Sequence, residues 1–378
     1  MQEASSLKST EVPGWVLRIP IVGKLYVKYE RYVLVIIFVA GFAWDSLTMT
    51  RVDSLFDNLF LAGYLTALGI MIFYTVRKHT EGARPQWVCR LEPYFPWAMQ
   101  FAFGSLFSGY VVFYFKSVSW SSTQFFFIVL VILLVGNEFL QDRLLNTKLL
   151  AVLYSFALLS FLSFCLPVML RRVGTEIFLL AGAASLGISI VVFLLAFGSK
   201  IGRQKKEMTI VFACVISTYI LVNSLYFANL IPPVPLALKS GGIYHSVRKT
   251  GSGYEVKFVR PPYWRFWKQW DDPFYLSPDE YAYCFTAIFA PPQVRVPVVH
   301  VWSWHSPSDG WRRADRIGFE VSGGREGGYR GFSMKKTLWP GKWRVQVETN
   351  EGRILAEINF TISPSPDRHP PLESRIIP

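Results

Sequence analysis

Apolar residues gather into seven long runs within the first 230 positions, and short alternating stretches follow. A helix needs about 20 apolar residues to cross a bilayer. The runs predict spans near 32–50, 58–76, 95–115, 121–141, 149–170, 177–198 and 208–230. The first is the weakest, because Asp45 interrupts it. The stretch Pro13–Arg31 is too mixed to span. Its Trp15, Leu17, Ile19 and Tyr26 among Arg18, Lys24 and Lys28 have the composition of an interfacial segment.

From Ser277 the apolar period becomes two, which is the period of a strand. Tyr281, Tyr283, Phe285, Ala287 and Phe289 alternate on one strand, and Ile317, Phe319 and Val321 on another. Trp343, Val345 and Val347 alternate against Arg344, Gln346 and Glu348. After the turn Asn350-Glu-Gly352 come Ile354, Ala356, Ile358, Phe360 and Ile362, which predicts a terminal hairpin. Val298–Trp304 and Tyr329–Lys335 add two strands, and Tyr254–Arg260 alternates as a strand ahead of them. Six or seven short strands in about 90 residues predict an all-β, immunoglobulin-like sandwich. The expected organisation is an interfacial N-terminus (1–31), a seven-helix transmembrane domain (32–230), a Pro- and aromatic-rich connector (231–272), the sandwich (273–363) and a flexible tail (364–378).

Composition agrees with a membrane chain. It is 52% hydrophobic and only 17% charged, against about 25% charged in soluble domains. The net charge of +13 divides almost evenly, +7 over residues 1–238 and +6 over 239–378. Basic residues in the first part cluster at span ends and in the second are scattered, so nucleic acid is not expected as a partner. Four cysteines are present, and only Cys284 falls in the predicted sandwich. No intradomain disulfide, CxxC or Cys/His metal spacing is available, and no metal or cofactor is predicted. Met1–Glu11 is polar, so no cleavable signal peptide is expected.

Loop charges set the orientation. The N-terminus and the loops after spans two, four and six hold fifteen Lys and Arg. The other loops hold four: Arg51, Lys116, Arg171 and Arg172. The positive-inside rule then predicts a cytoplasmic N-terminus. Seven crossings place the C-terminal domain outside, which is the periplasm in a Gram-negative cell, and an even count would place it inside.

Candidate chemistry is sparse. Asp45 and Glu138 are intramembrane acids, a residue type that often marks ion paths. Both lie near a predicted interface, where a side chain reaches water. Trp264, Trp267 and Trp270, interleaved with cations, suit the membrane interface or stacking on a ligand. His300 and Trp302 share a strand face with Trp304, as a ligand cleft or as core-edge packing. Tyr329 and Arg330 follow the glycine-rich stretch Gly323–Gly328, which reads as a hairpin loop because a strand follows it. Arg330 suits a carboxylate or phosphate, or a pairing with Glu320 or Asp315. Asp271-Asp272 and Asp279-Glu280 read as turn residues. One histidine without a suitably spaced Ser, Cys or Asp makes no triad, and no catalytic residue is predicted.

Several motifs carry a resemblance: Ile231-Pro-Pro-Val-Pro-Leu-Ala-Leu-Lys239, Gly242-Ile-Tyr-His245, Cys284-Phe-Thr-Ala287, His300-Val-Trp302, Gly328-Tyr-Arg330 and Gly341-Lys-Trp-Arg344. Residues 231–363 resemble the C-terminal part of a family of bacterial polytopic membrane proteins that ends in the domain of unknown function 2914. The resemblance implies a multi-span protein of a bacterial inner membrane with a β-rich C-terminal domain, and it supplies no catalytic residues. The sequence thus predicts a non-enzymatic membrane protein whose periplasmic sandwich binds an envelope protein, glycan or lipid. The alternative is a transporter or membrane-embedded enzyme with the sandwich as a regulatory cap. A homo-oligomer assembled through the sandwich is a further alternative.

Overall fold

The computed structural model describes residues 43, 47, 54–78, 86–115, 124–137, 143–198, 205–231, 233, 235–251, 253–260, 270–277, 280–325, 327–364 and 371–377. Apart from residues 43 and 47, the first predicted span, with Asp45, lies outside them, as do Glu138, Trp264 and Trp267.

The described helices are α1 (Leu55–Lys78), α2 (Gln86–Leu91), α3 (Phe95–Phe115), α4 (Gln124–Asn137), α5 (Thr147–Leu170), α6 (Thr175–Phe197) and α7 (Lys205–Phe227). Four of these, α1, α5, α6 and α7, are long and apolar enough to cross a membrane. The helices α3 and α4, of 21 and 14 residues, fall within the third and fourth expected spans. Local sequence starts two helices. Ser54 accepts from Asp57 N at the head of α1. Asn146 accepts from Lys148 N and Leu149 N at the head of α5. Each satisfies amides that a helix start leaves without partners.

Burial sorts the helices. The span window of α5 is 78% buried, against 39%, 33% and 28% for α1, α6 and α7. Helix α5 packs on α1, α3, α6 and α7 and so forms the centre of the bundle. Outward residues of the others remain apolar, including Phe60, Ile70, Leu180, Ile188, Val191 and Ile220. An apolar outer surface over whole helices is what lipid requires and water penalises. Two buried tyrosines of α3 bond across to α5. Tyr110 Oη donates to Ala157 O at 2.9 Å, and Tyr114 Oη meets Ser163 Oγ at 2.7 Å.

Eleven strands follow among the described residues: β1 (Ala237–Tyr244), β2 (Ser246–Thr250), β3 (Gly253–Val259), β4 (Phe274–Leu276), β5 (Ala282–Phe289), β6 (Arg295–Ser306), β7 (Gly310–Ser322), β8 (Tyr329–Lys335), β9 (Gly341–Thr349), β10 (Ile354–Pro364) and β11 (Leu372–Ile377). They form sheets of order β1-β5-β8, β4-β10-β9-β6-β7 and β11-β3-β2. The first two sheets face each other. Their shared core holds Ile243, Phe274, Cys284, Trp302, Trp343 and Phe360. A second part of it holds Ile288, Val298, Val321 and Val347. The alternation of Trp343, Val345 and Val347 is the core face of β9, and β9 pairs with β10 as the hairpin predicted.

The third sheet was not legible as one. The stretch expected as a connector, 231–272, carries β1 and β2 besides β3, which falls on the alternation of Tyr254–Arg260, and the stretch expected as a tail carries β11. Strand β1 belongs to the sandwich itself through its pairing with β5. The hairpin sheet packs Val247, Val256 and Phe258 against Phe285 and Ala287 of β5. Strand β5 is therefore covered on both faces. Cys284 and Ile288 serve the sandwich core, while Phe285 and Ala287 serve the hairpin sheet. The glycine-rich stretch 323–328 is a crossover between sheets and not a hairpin loop, because β7 pairs with β6 and β8 with β5.

Replacing Phe360, which is buried between the sheets, by alanine is expected to cost about 3–5 kcal/mol. Ile376→Ala on the exposed face of β11 should stay within about 0.5 kcal/mol. Denaturation of the detergent-solubilised protein, followed by tryptophan fluorescence, checks both.

Candidate functional site

The four residues expected to form a ligand surface do not converge. His300 and Trp302 are fully buried between the sheets. The imidazole reaches Thr286 Oγ1 from Nε2 at 3.0 Å and Ser333 Oγ from Nδ1 at 2.9 Å. Trp302 Nε1 donates to the same Ser333 Oγ at 3.0 Å. Every polar atom of this group is used, as the cost of burying an unpaired one demands. His300 and Trp302 are therefore core residues. Tyr329 and Arg330 are adjacent on β8 and point to opposite faces. Tyr329 packs on the sandwich core, while Arg330 sits opposite Ala287 on the side of the hairpin sheet. Asp315, one of its expected partners, bonds Lys335 Nζ instead at 3.2 Å. Trp270 packs against the sandwich core and the hairpin-sheet cluster, which assigns it to the domain's own packing and not to the membrane interface.

Convergent polar chemistry occurs elsewhere, at the turn between β9 and β10. Asn350-Glu-Gly-Arg353 is closed by Gly352 N donating to Thr349 O and Thr349 N to Arg353 O, both at 2.9 Å. Gly352 sits at φ 78, a conformation that glycine adopts without steric cost. The turn projects Glu351 and Arg353 onto the ends of two helices.

Helix α6 begins at Gly174, which has no side chain to cap it. Glu351 Oε2 supplies the cap, accepting from Thr175 N at 2.9 Å and Thr175 Oγ1 at 2.6 Å. A Cβ at position 174 would lie 2.8 Å from Glu351 Oε1, so glycine there makes room for the carboxylate. Helix α7 ends the opposite way. Arg353 Nη1 donates to Tyr226 O at 2.6 Å and to Asn229 Oδ1 at 3.0 Å. Its guanidinium lies 4.0 Å from the Tyr226 ring centroid. Tyr226 in turn stacks on Phe178 of α6 at 3.7 Å. An acid at a helix N-terminus and a base at a helix C-terminus both match the helix dipole. A cavity of ≈ 160 Å³ opens beside them, bounded by Pro167, Val173, Phe178, Ile231, Val296 and the turn.

A second polar group locks the hairpin sheet. His245 Nδ1 lies 2.6 Å from Glu280 Oε1, and its ring stacks on Phe274 at 4.2 Å. Its Nε2 is 3.7 Å from Asp271 Oδ2. Asp271 Oδ1 accepts from Val259 N at 2.6 Å, and Asp272 Oδ1 from Thr361 N at 3.1 Å. The two aspartates thus bond to β3 and β10 in turn and are more than turn residues. Burial pushes the Asp271 carboxyl up to about 8. Among the described residues, no group of three or more His, Cys, Asp or Glu could hold a metal.

Residues 296–362 match the family described as "Protein of unknown function (DUF2914)", so the C-terminal region carries that domain. The match includes the Glu351–Arg353 turn. No curated protein matches the chain. Among solved structures it is similar to an immunoglobulin-like protein from Pseudomonas aeruginosa, at 15% identity over 34% of this chain and 98% of that one, with a TM-score of 0.21. It is also similar to an alkylpurine DNA glycosylase from Pseudomonas fluorescens bound to DNA with an abasic site analog. There the identity is 10% over 83% of this chain and 98% of that one, with a TM-score of 0.21. Neither likeness bears on the site.

Glu351→Ala removes the cap of α6 and is expected to cost about 0.5–2 kcal/mol, whereas Glu351→Gln, which keeps an acceptor, should cost less. Thermal unfolding of the two variants checks this. The buried acid and the buried histidine give opposite pH dependences. Asp271 holds its proton in the folded state up to about pH 8, whereas the unfolded chain releases it near about 3.9. Its contribution is full below about pH 4 and is lost as pH rises toward 8. Burial pulls His300 down to about 3, against about 6.5 unfolded. Its contribution is full above about pH 6.5 and is lost as pH falls toward 3. Asp271→Asn should therefore flatten the loss on the alkaline side, and His300→Gln the loss on the acid side, in unfolding midpoints measured from pH 4 to 8.

Proposed function

We propose that this protein is a seven-span anchor that presents an immunoglobulin-like sandwich to the periplasm, where the sandwich binds an envelope partner or ligand without catalysing a reaction. The Glu351–Arg353 turn carries the reading. A domain that needed only tethering would need only a linker. Here a turn of the domain caps two apolar helices, which holds it in one orientation relative to them.

Sidedness gains support that does not depend on the total number of spans. The domain meets the C-terminal ends of α5 and α7 and the N-terminal end of α6. The loop on that side carries Arg171 and Arg172. The opposite ends are flanked by Arg143, Lys148, Lys200, Arg203, Lys205 and Lys206. This asymmetry favours an external domain.

With His300 and Trp302 in the core, the surface offered for a partner is the outer face of the five-stranded sheet. Arg344 lies 4.4 Å over the Trp311 ring there. Arg313 and Arg344 flank Ser303, and Arg316 and Gln346 flank Val301. Guanidinium groups beside an aromatic ring suit an anionic glycan or an acidic protein face.

The test is a pair of fusions after Pro378, one to alkaline phosphatase and one to green fluorescent protein, each expressed in a Gram-negative host. Active phosphatase with a dark fluorescent fusion is the expected result. The reverse pattern would put the domain in the cytoplasm and end the reading.

A further inference from the structure

The cavity beside the Glu351–Arg353 turn sits where a bilayer headgroup would. It lies among the ends of α5, α6 and α7, at Pro167, Gly174 and Tyr226. If these helices are spans, that level is the headgroup region and not the hydrocarbon. The inference rests on that part of the proposed function.

We propose that this cavity holds the headgroup of an aminophospholipid, with its phosphate on Arg353 and its primary ammonium on Glu351. Charge and depth agree. Arg353 is 9% exposed and lies within the site, whereas Glu351 is exposed at its mouth. An anionic group thus enters first and a cationic group stays outermost.

Both side chains keep bonding capacity after capping their helices. Arginine has five N–H donors. Arg353 Nη1 serves Tyr226 O and Asn229 Oδ1, which leaves Nη2 and Nε, among the described residues. A phosphate is a suitable acceptor for such a pair. Glu351 bonds Thr175 through Oε2 and keeps Oε1. A primary ammonium can donate there, while a trimethylated one has no N–H to give.

Size and lining fit as well. A water occupies about 30 Å³ of liquid, so a space of ≈ 160 Å³ takes several waters or one group of headgroup size. The remaining wall is largely apolar, with Val173, Phe178, Ile231 and Val296, and suits the carbons that follow a headgroup phosphate.

The test uses the full chain in detergent micelles doped with phosphatidylethanolamine, phosphatidylcholine or phosphatidylglycerol, and in undoped micelles with free O-phosphoethanolamine. Phosphatidylethanolamine is expected to raise the thermal midpoint by roughly 2–4 °C above the other two lipids. Two variants block the site without touching Glu351 or Arg353. Pro297→Trp acts at the exposed mouth and Val173→Trp from the wall. Each should lose the headgroup-specific rise. An equal rise with all three lipids, or a rise retained in both variants, would overturn the proposal. A full rise with O-phosphoethanolamine alone would also overturn it, in favour of a soluble zwitterion. Absence of a headgroup effect with an active phosphatase fusion would remove the lipid and leave the external domain standing.

Discussion

A helix end is an electrostatic demand. Its first amides need acceptors, its last carbonyls need donors, and the aligned peptide dipoles favour an anion at one end and a cation at the other. Helices α1 and α5 meet the first demand with their own Ser54 and Asn146. Helix α6 starts at Gly174 and cannot. The β-domain meets it instead, with Glu351 at the start of α6 and Arg353 at the end of α7. Opposite charges two residues apart on one turn suit two antiparallel helix ends lying side by side. The placement of the β-domain follows from that match.

The second constraint is the double burial of β5. A strand covered on one face leaves its other face for solvent or a ligand. Strand β5 has the hairpin sheet on one face and the five-stranded sheet on the other. The polar side chains that reach into this interior have to be paired, and Thr286, His300, Trp302 and Ser333 form one such set. The same enclosure forces Asp271 and His245 together and drives the carboxyl toward its neutral form. Histidine and tryptophan on one strand are thus explained by packing.

Local features were legible in the sequence, and distant pairings were not. Continuous apolar runs marked the helices. The alternation around Trp343 and Ile358, with Asn350-Glu-Gly352 between, marked the terminal hairpin. Strict alternation misled on β5, because Tyr283, Phe285 and Ala287 look like a core face while Cys284 and Ile288 occupy the core of the sandwich. A strand buried on both sides carries two apolar sets, and period alone cannot rank them. Glu351 and Thr175 are 176 positions apart, and Arg353 and Tyr226 are 127 apart. No local spacing encodes such a contact. The one available signal was Gly174, a helix start without a capping side chain, which calls for a donor-satisfying group from elsewhere.

The turn also constrains the helices it caps. Two residues of extended chain span at most about 7 Å. Glu351 holds the start of α6 and Arg353 the end of α7, so the distance between those ends is limited by the turn and by Phe178 stacking on Tyr226. The covalent exit is short as well. It runs from the end of α7 to Ala237, with Ile231 and Pro233 buried and Leu236 N bonded to Pro233 O. The domain therefore cannot rotate freely on the exit, nor α6 slide along α7, without breaking a charge-assisted bond. The exit and the two charged side chains thus couple the sandwich to the helix pair at the same place.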